Sequence, residues 1–115
     1  MKFREVELLD EAVTDLRAGE AFYNERELGL GDYFVDCLLS DLSSLQHYAG
    51  IHSNRYGCFR LLSKRFPFAI YYELEEESVT VIAILAMRRK PNTIRNLVAE
   101  RSTIDGTEPS GPGAP

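Results

Sequence analysis

The chain has 115 residues, of which 44% are hydrophobic and 27% charged, and its net charge is −5. These values are typical of one folded domain with a single hydrophobic core, and an acidic chain is not expected to bind nucleic acid over its whole surface. No apolar run approaches the roughly 20 residues that span a bilayer, and the charged start, residues 1–5, lacks the apolar core of a secretion signal. We therefore expect a cytoplasmic protein with no membrane partner.

The first half of the chain predicts one strand followed by two helices. Residues 2–8 alternate well enough for a short strand, with Val6 and Leu8 on one face. Asp10, a favourable N-cap residue, begins a first helix, which should end near Leu28 because the glycines that follow tolerate a left-handed cap. A second helix is expected over residues 32–48. The link between them is so short that the two helices must be antiparallel neighbours.

The second half predicts a sheet and a short terminal helix. Strands are expected over residues 56–62, 66–74 and 79–88. The last of these is the most apolar and should lie at the sheet centre, covered on both faces. Pro91 suits the first turn of a terminal helix. The order predicts an α+β fold: an N-terminal strand, then an antiparallel helical hairpin packed on a mostly antiparallel sheet with a C-terminal three-strand meander.

The C-terminal segment differs in composition from the rest. From Ser102 onward it contains three prolines, three glycines and a single isoleucine, too little apolar surface to offset its ordering entropy. We expect a folded domain at residues 1–98 and a flexible tail at 99–115. Removal of residues 102–115 should have little effect on folding.

Two cysteines, Cys37 and Cys58, have neither the number nor the spacing of a disulfide framework or a zinc site. Both fall within predicted elements, where small core residues are expected. Glu73 and the acids at residues 75–77 are typical of a solvated turn rather than a metal cluster. We therefore expect no metal site and no cofactor.

Three stretches of the chain carry a family resemblance. They are Glu-Ala-Val-Thr-Asp-Leu at 11–16 with Ala-Phe-Tyr at 21–23, Gly-Leu-Gly-Asp-Tyr-Phe at 29–34, and Phe-Arg-Leu-Leu-Ser-Lys-Arg-Phe-Pro-Phe-Ala-Ile-Tyr-Tyr at 59–72. The third is followed by an apolar strand at 79–84 and by Arg-Arg-Lys-Pro at 88–91. In this order they resemble the RelE/ParE toxin superfamily of type II toxin–antitoxin (plasmid-stabilisation) modules of bacteria, and more closely its ParE branch.

The resemblance implies a small toxin kept silent by a cognate antitoxin encoded beside it. RelE-type members cut mRNA on the ribosome, whereas ParE-type members bind DNA gyrase and trap its cleaved DNA complex without a catalytic site. Ala86 and Met87 stand where many nucleases of the superfamily carry a histidine, and no His or Tyr follows Tyr72. We expect gyrase poisoning and no catalytic residues. A RelE-like endoribonuclease with a degenerate site and an inactive, antitoxin-binding relative are the alternatives.

One arginine keeps the nuclease alternative open. Arg60 matches the middle-strand arginine that the nucleases use on phosphate, but it needs an acid or base partner. Tyr71 and Tyr72 are adjacent on a strand and should point to opposite faces, so at most one can join Arg60. His47 and His52 are expected to be surface residues.

Charge is unevenly distributed along the chain. Residues 1–50 carry four Lys/Arg against eleven Asp/Glu, a net charge of −7, and residues 51–115 carry nine against seven, a net charge of +2. An anionic target should therefore bind to the surface formed by residues 51–115. Direct sequence-specific nucleic-acid binding is not expected. Because the meander strands are neighbours, two basic groups should form one patch for the target or an acidic antitoxin. These groups are Arg60, Lys64 and Arg65, and Arg88, Arg89 and Lys90.

Overall fold

The computed structural model describes residues 3–102, which form a sheet with helices on both of its faces. The elements are β1 (Glu5–Leu8), α1 (Asp10–Arg26), α2 (Leu30–Tyr48), β2 (Ser53–Arg55), β3 (Cys58–Leu62), β4 (Phe68–Leu74), β5 (Ser78–Ala86) and α3 (Pro91–Arg101). The strand order is β1-β5-β4-β3-β2. β1 runs parallel to β5 and the other neighbours are antiparallel. The predicted α+β architecture is confirmed.

Three local predictions are corrected. The N-cap of α1 is Leu9, and Asp10 lies in the first turn, where the helix dipole favours an acid. The sequence analysis missed β2, because Tyr56 at φ +57° and Gly57 at φ +86° form a two-residue turn instead of opening a strand. The β4 strand begins at Phe68 because Pro67, which precedes it, has no N–H to donate.

The helical hairpin depends on glycine at two helix contacts. The Gly31 N–H donates to Asn24 Oδ1 at 2.7 Å, and a Cβ at Gly31 would lie 2.2 Å from the Glu20 carbonyl oxygen. A Cβ at Gly19 would lie 2.6 Å from the Phe34 ring. The two helices therefore approach more closely than any larger residue would allow. The α2 helix begins at Leu30 rather than at the predicted Asp32, directly after its left-handed N-cap Gly29.

The main core lies between the sheet and the α1–α2 hairpin. It joins side chains of both helices to alternate residues of the strands. A second cluster lies on the opposite face, where Ile94 and Val98 of α3 pack over β4 and β5. β5 is thus buried on both faces, as its apolar sequence predicts.

A β-bulge shifts the alternation of β5. Val81 pairs with Tyr72 and Ala83 pairs with Tyr71. Ile82 is therefore an extra residue of β5 that has no partner on β4. Tyr72 packs in the main core and Tyr71 in the α3 cluster. The prediction that the two tyrosines point to opposite faces is therefore confirmed.

The outer edge of β5 is only partly covered by a strand, because β1 pairs with residues 78–81 alone. Beyond that point Asp15 of α1 accepts the Ile84 N–H at 3.0 Å. Arg101 of α3 donates to Asp15 at 2.5 Å and to the Ile82 carbonyl at 3.3 Å. This largely buried ion pair ties α1 and α3 together around the sheet edge. Arg101 ends α3, so the helix includes residues 99–101 of the expected tail, whose residues 103–115 lie outside the described part of the chain.

We expect Arg101→Ala to lower the free energy of unfolding by about 2–4 kcal/mol, because it leaves a mostly buried carboxylate without its cation. Urea denaturation followed by circular dichroism measures the change. The matched control is Arg17→Ala, which breaks the exposed Arg17–Glu20 pair and should cost less than about 0.5 kcal/mol. Equal small losses in the two variants would show that the Asp15–Arg101 pair does not hold the layers together.

Candidate functional site

Five of the six basic residues singled out in the sequence lie at one end of the sheet. Met87 N–H donates to the Pro67 carbonyl at 2.8 Å, and Phe68 pairs with Ala86. The turn between β3 and β4 therefore lies beside the turn between β5 and α3. These two turns carry the exposed side chains of Lys64, Arg65, Arg88, Arg89 and Lys90.

The structure places Arg60 apart from those five. It lies in the middle of β3, roughly 10 Å from the β3–β4 turn, and pairs with Tyr71 on the α3 face. Arg60 is half-buried, its Nε atom is buried without a hydrogen-bond partner, and it forms no ion pair with a described residue. Burial raises the pKa of Tyr71, and a hydrogen bond from the Arg60 guanidinium opposes that rise.

A sixth cation, which the sequence analysis missed, joins the five. Arg26 ends α1 and places its guanidinium 4.3 Å from the centre of the Phe22 ring, and Arg88 lies 4.8 Å from the same centre. Phe22 and Arg26 are four residues apart on one helix, a spacing that could have indicated their contact. We call the six residues the basic end: Arg26, Lys64, Arg65, Arg88, Arg89 and Lys90.

The basic end is electrostatically unbalanced. Among residues 3–102, no acidic side chain forms an ion pair with any of its six members, although Arg65 donates to the Tyr33 hydroxyl at 3.2 Å. Two acids, Asp36 and Asp41, do line a cavity with Lys64 and Arg65. These two acids partly compensate the charge of Lys64 and Arg65. They do not line that cavity with the other four residues of the basic end, which are Arg26, Arg88, Arg89 and Lys90.

Another cavity, of about 180 Å³, opens between α1 and the end of β5. Its walls combine the Asp15 carboxylate and two arginines, Arg88 and Arg89, with the Phe22 and Phe68 rings and smaller apolar residues. It has apolar depth and a cationic rim. Such a cavity suits an anionic chain with apolar parts better than a compact inorganic anion.

A second polar cluster lies on the other face of the sheet from Arg60. The Tyr72 hydroxyl accepts the Gly50 N–H at 2.9 Å and lies 2.6 Å from His52 Nδ1. With the neutral His52 ring protonated on Nε2, the Tyr72 hydroxyl can donate its proton to Nδ1 while it accepts the Gly50 N–H. Burial lowers the pKa of His52 and raises that of Tyr72. His52 is therefore half-buried and bonded rather than the free surface residue expected.

The His52–Tyr72 pair cannot serve Arg60 as an acid or base. Tyr72 packs in the main core, whereas the Arg60–Tyr71 pair belongs to the opposite face. The sheet itself separates the two sets of groups. The arginine expected to hold a phosphate thus lies opposite Tyr71 on β4 and Ser53 on β2. Glu73, which follows Tyr71 by two residues on β4, is buried at 3% exposure and does not lie in the solvated turn that the sequence predicts.

The cysteines offer no reactive centre. Burial, with a smaller contribution from Glu73, raises the pKa of the Cys58 thiol to about 12, so Cys58 is not a thiolate nucleophile. Both cysteines are free, and no three His, Cys, Asp or Glu side chains of the described residues are grouped to hold a metal ion. Over the same residues, no helix is both long and apolar enough to span a bilayer.

Comparison with known proteins identifies the fold. No protein-family model matches the chain, and no curated protein matches it. Among solved structures, it is similar to a chain of the chromosomal ParDE TA system from P. aeruginosa. The TM-score is 0.68 and the identity 19%, over 75% of this chain and 98% of that chain. The chain has the fold of that ParDE chain. At this identity the likeness concerns the fold, and it agrees with the ParE-like order of motifs in the sequence.

We expect the protein to lose stability as the pH falls below about 6.5, the ordinary pKa of histidine. Because burial lowers the pKa of His52 in the folded chain, the unfolded chain binds the proton first, and acid favours unfolding. Urea denaturation at pH 7.5, 6.5 and 5.5 measures the effect.

The variant His52→Gln should flatten this pH dependence, whereas His47→Gln, which changes an exposed ring, should leave it unaltered. Parallel pH profiles for His52→Gln and the unaltered chain would contradict the assignment of the neutral, bonded His52.

Proposed function

We propose that the chain is the toxin of a type II toxin–antitoxin module and that it acts in the cytoplasm by binding DNA gyrase and trapping its cleaved DNA complex. The observation that carries the proposal is the similarity of fold to a chain of the ParDE TA system, which covers 98% of that chain. The ParE-like motifs in the sequence support the same conclusion.

The arrangement of polar groups supports binding rather than catalysis. Metal-free RNA cleavage needs a base for the 2′-hydroxyl, an acid for the leaving oxygen and cations for the phosphate. Arg60 and Tyr71 lie on one face of the sheet, and His52 with Tyr72 lies on the other. Tyr71 is almost fully buried, at 1% exposure, and its raised pKa disfavours ionisation. A toxin that traps a complex formed by another enzyme needs only a complementary surface.

The basic end is our proposed target-binding surface. Its six cations have no acidic partner in the described part of the chain, and like charges held together in this way favour an anionic partner. A gyrase–DNA complex offers phosphates at such a surface. The Phe22 ring between Arg26 and Arg88 holds both guanidinium groups in place.

Incubation of the purified chain with gyrase, ATP and supercoiled plasmid should accumulate linear, gyrase-bound DNA, because a trapped cleavage complex releases a double-strand break on denaturation. Agarose gels after detergent and protease treatment measure the linear fraction. A reaction with the chain but without gyrase is the control. Unchanged supercoiling with no linear product would overturn gyrase as the target.

Two alternatives have distinct outcomes. A RelE-like ribosome-dependent endoribonuclease is favoured by the Arg60–Tyr71 pair alone, and it would cleave mRNA in a translation extract in a manner that Tyr71→Phe abolishes. An inactive relative that only binds an antitoxin would give neither linear DNA nor cut mRNA. In that case it would still co-purify with the protein encoded by the adjoining reading frame, which we propose as its antitoxin.

We expect Arg88→Glu combined with Arg89→Glu to relieve growth arrest on expression while leaving the thermal melt unchanged. Both side chains are exposed, so their replacement costs stability within about ±0.5 kcal/mol, whereas charge reversal repels an anionic target. Arg17→Glu with Arg55→Glu, two exposed arginines outside the basic end, is the matched control. Full toxicity of the Arg88/Arg89 variant would show that the basic end is only solvated surface.

Arg60 belongs in a separate experiment. Its side chain is half-buried and lies opposite Tyr71 across the strand pair, so its replacement can lower the stability of the fold. Arg60→Glu would place a carboxylate beside the buried Tyr71 hydroxyl. A loss of toxicity in this variant could then result from a loss of folding. Arg60→Lys keeps the charge and is the safer probe.

A further inference from the structure

The 180 Å³ cavity between α1 and the end of β5 is too small to enclose a complete ligand. Sites that enclose a whole small molecule have volumes of roughly 300–1,000 Å³, so this cavity can admit only one part of a larger molecule. Its depth is apolar, because the rings of Phe22 and Phe68 and the small residues Ala18 and Gly19 line it. The part that enters should therefore be compact and largely apolar, while the rest of the molecule stays outside.

The part that stays outside meets positive charge. Arg88 and Arg89 line the cavity. Arg26 contacts the same Phe22 ring as Arg88, at 4.3 Å and 4.8 Å from the ring centre. Guanidinium groups bind phosphate through paired N–H donors and also stack on planar rings. This rim therefore suits a molecule that carries phosphates next to a planar ring.

One acid in the lining gives the cavity a hydrogen-bond acceptor. The Asp15 side chain is only 10% exposed. It accepts one hydrogen bond from the Ile84 N–H and two from the Arg101 guanidinium, whereas a carboxylate has about four acceptor sites. A group that enters the cavity with an N–H of its own can use the acceptor site that remains.

We propose that the cavity receives one unpaired base of single-stranded DNA while Arg26, Arg88 and Arg89 bind the neighbouring phosphates, a proposal that rests on the function proposed above. A DNA base is a planar ring system whose pairing edge carries an N–H donor, and in the cavity that edge meets Asp15. In a duplex the same edge is bonded to the opposite strand, so only an unpaired base can enter. Because all four bases share these features, the site tolerates any sequence.

The lining favours nucleic acid over an acidic polypeptide as the occupant. A polypeptide anchored by a leucine or phenylalanine side chain would leave the remaining acceptor of Asp15 without a donor, which is costly for a buried group. A nucleotide supplies the ring, the N–H donor and the phosphate in one repeating unit. Acidic segments therefore use fewer of the groups that the cavity offers.

A base held in this way explains how a cleaved DNA complex is trapped without catalysis. Resealing of a cut duplex requires the bases beside the break to pair again. A base that lies between α1 and β5, with its pairing edge on Asp15, is withheld from its partner strand. The break then persists for as long as the base stays bound.

NMR titration of the full chain with a single-stranded DNA tetranucleotide tests the site. The amides of Ala18, Gly19 and Ala86, which line the cavity, should shift on binding. The matched ligand is an abasic tetramer, which keeps the sugars and phosphates but lacks the rings, and it should bind roughly tenfold more weakly. Equal affinities of the two ligands would overturn the proposal, because the basic end would then bind phosphate alone.

A matched pair of variants tests the cavity itself. Ala18 is exposed and lines the cavity, so Ala18→Phe should fill it without removing a cation and should lower the affinity for the tetranucleotide to that of the abasic ligand. Ala21→Phe, at an exposed position of the same helix outside the lining, should bind like the unaltered chain. Unchanged binding by a folded Ala18→Phe variant would overturn the site. If thermal melts show that this variant does not fold, the two ligands on the unaltered chain still decide.

The gyrase reaction separates this site from the proposed function. We expect Ala18→Phe to abolish most of the linear DNA and Ala21→Phe to leave it unchanged. Full accumulation of linear DNA with Ala18→Phe would overturn the base site and leave gyrase poisoning standing. Ring-dependent binding by a chain that yields no linear DNA would overturn the gyrase proposal and leave the base site standing. If an acidic peptide with a central phenylalanine shifts the cavity amides and the tetranucleotide does not, the cavity belongs to a polypeptide and the proposal is overturned.

Discussion

The nine-residue strand β5 is buried on both faces, yet the strand beside it, β1, is only four residues long. Buried backbone groups must find hydrogen-bond partners, so the remainder of β5 has to be completed by other parts of the chain. Asp15 and Arg101 do this at Ile84 and Ile82, and in doing so join the helical layers on the two faces of the sheet. The ion pair exists because β1 stops early, and the open edge beyond it has the same origin.

The sheet also decides which polar groups can act together. Side chains alternate along a strand, so the consecutive β4 residues Tyr71 and Tyr72 enter different clusters, while the bulge at Ile82 shifts the alternation of β5 alone. Arg60 consequently lies beside Tyr71 on one face, and His52 is hydrogen-bonded to Tyr72 on the other, with the sheet backbone between the two pairs. Acid–base catalysis requires both groups to reach one substrate, and the sheet that lies between these two pairs is the physical reason for preferring a binding function.

Local charge matters more than net charge in this protein. The whole chain is acidic at −5, yet six cations gather where α1, the β3–β4 turn and the β5–α3 turn come together. Two of them, Arg26 and Arg88, contact the same Phe22 ring, whose π-electrons attract both cations. In our proposal this end of the sheet is the surface that contacts the target.

Much of the fold was determined by features local in sequence. The order of elements, the antiparallel helical hairpin, the central position of β5 and the opposite directions of Tyr71 and Tyr72 all follow from periodicity and short connections. The five basic residues of the two turns were also placed together correctly, because neighbouring antiparallel strands bring their turns to the same end.

Only the tertiary structure decided how distant segments meet. It separated Arg60 from the basic turns, added Arg26 to them, bonded His52 to Tyr72 and joined Asp15 to Arg101 across 86 positions of sequence. It also showed where β1 stops along β5. These features depend on the lengths of neighbouring strands and on the angle at which helices cross the sheet. A single sequence does not encode them in any short pattern, because they arise from packing between residues far apart in the chain.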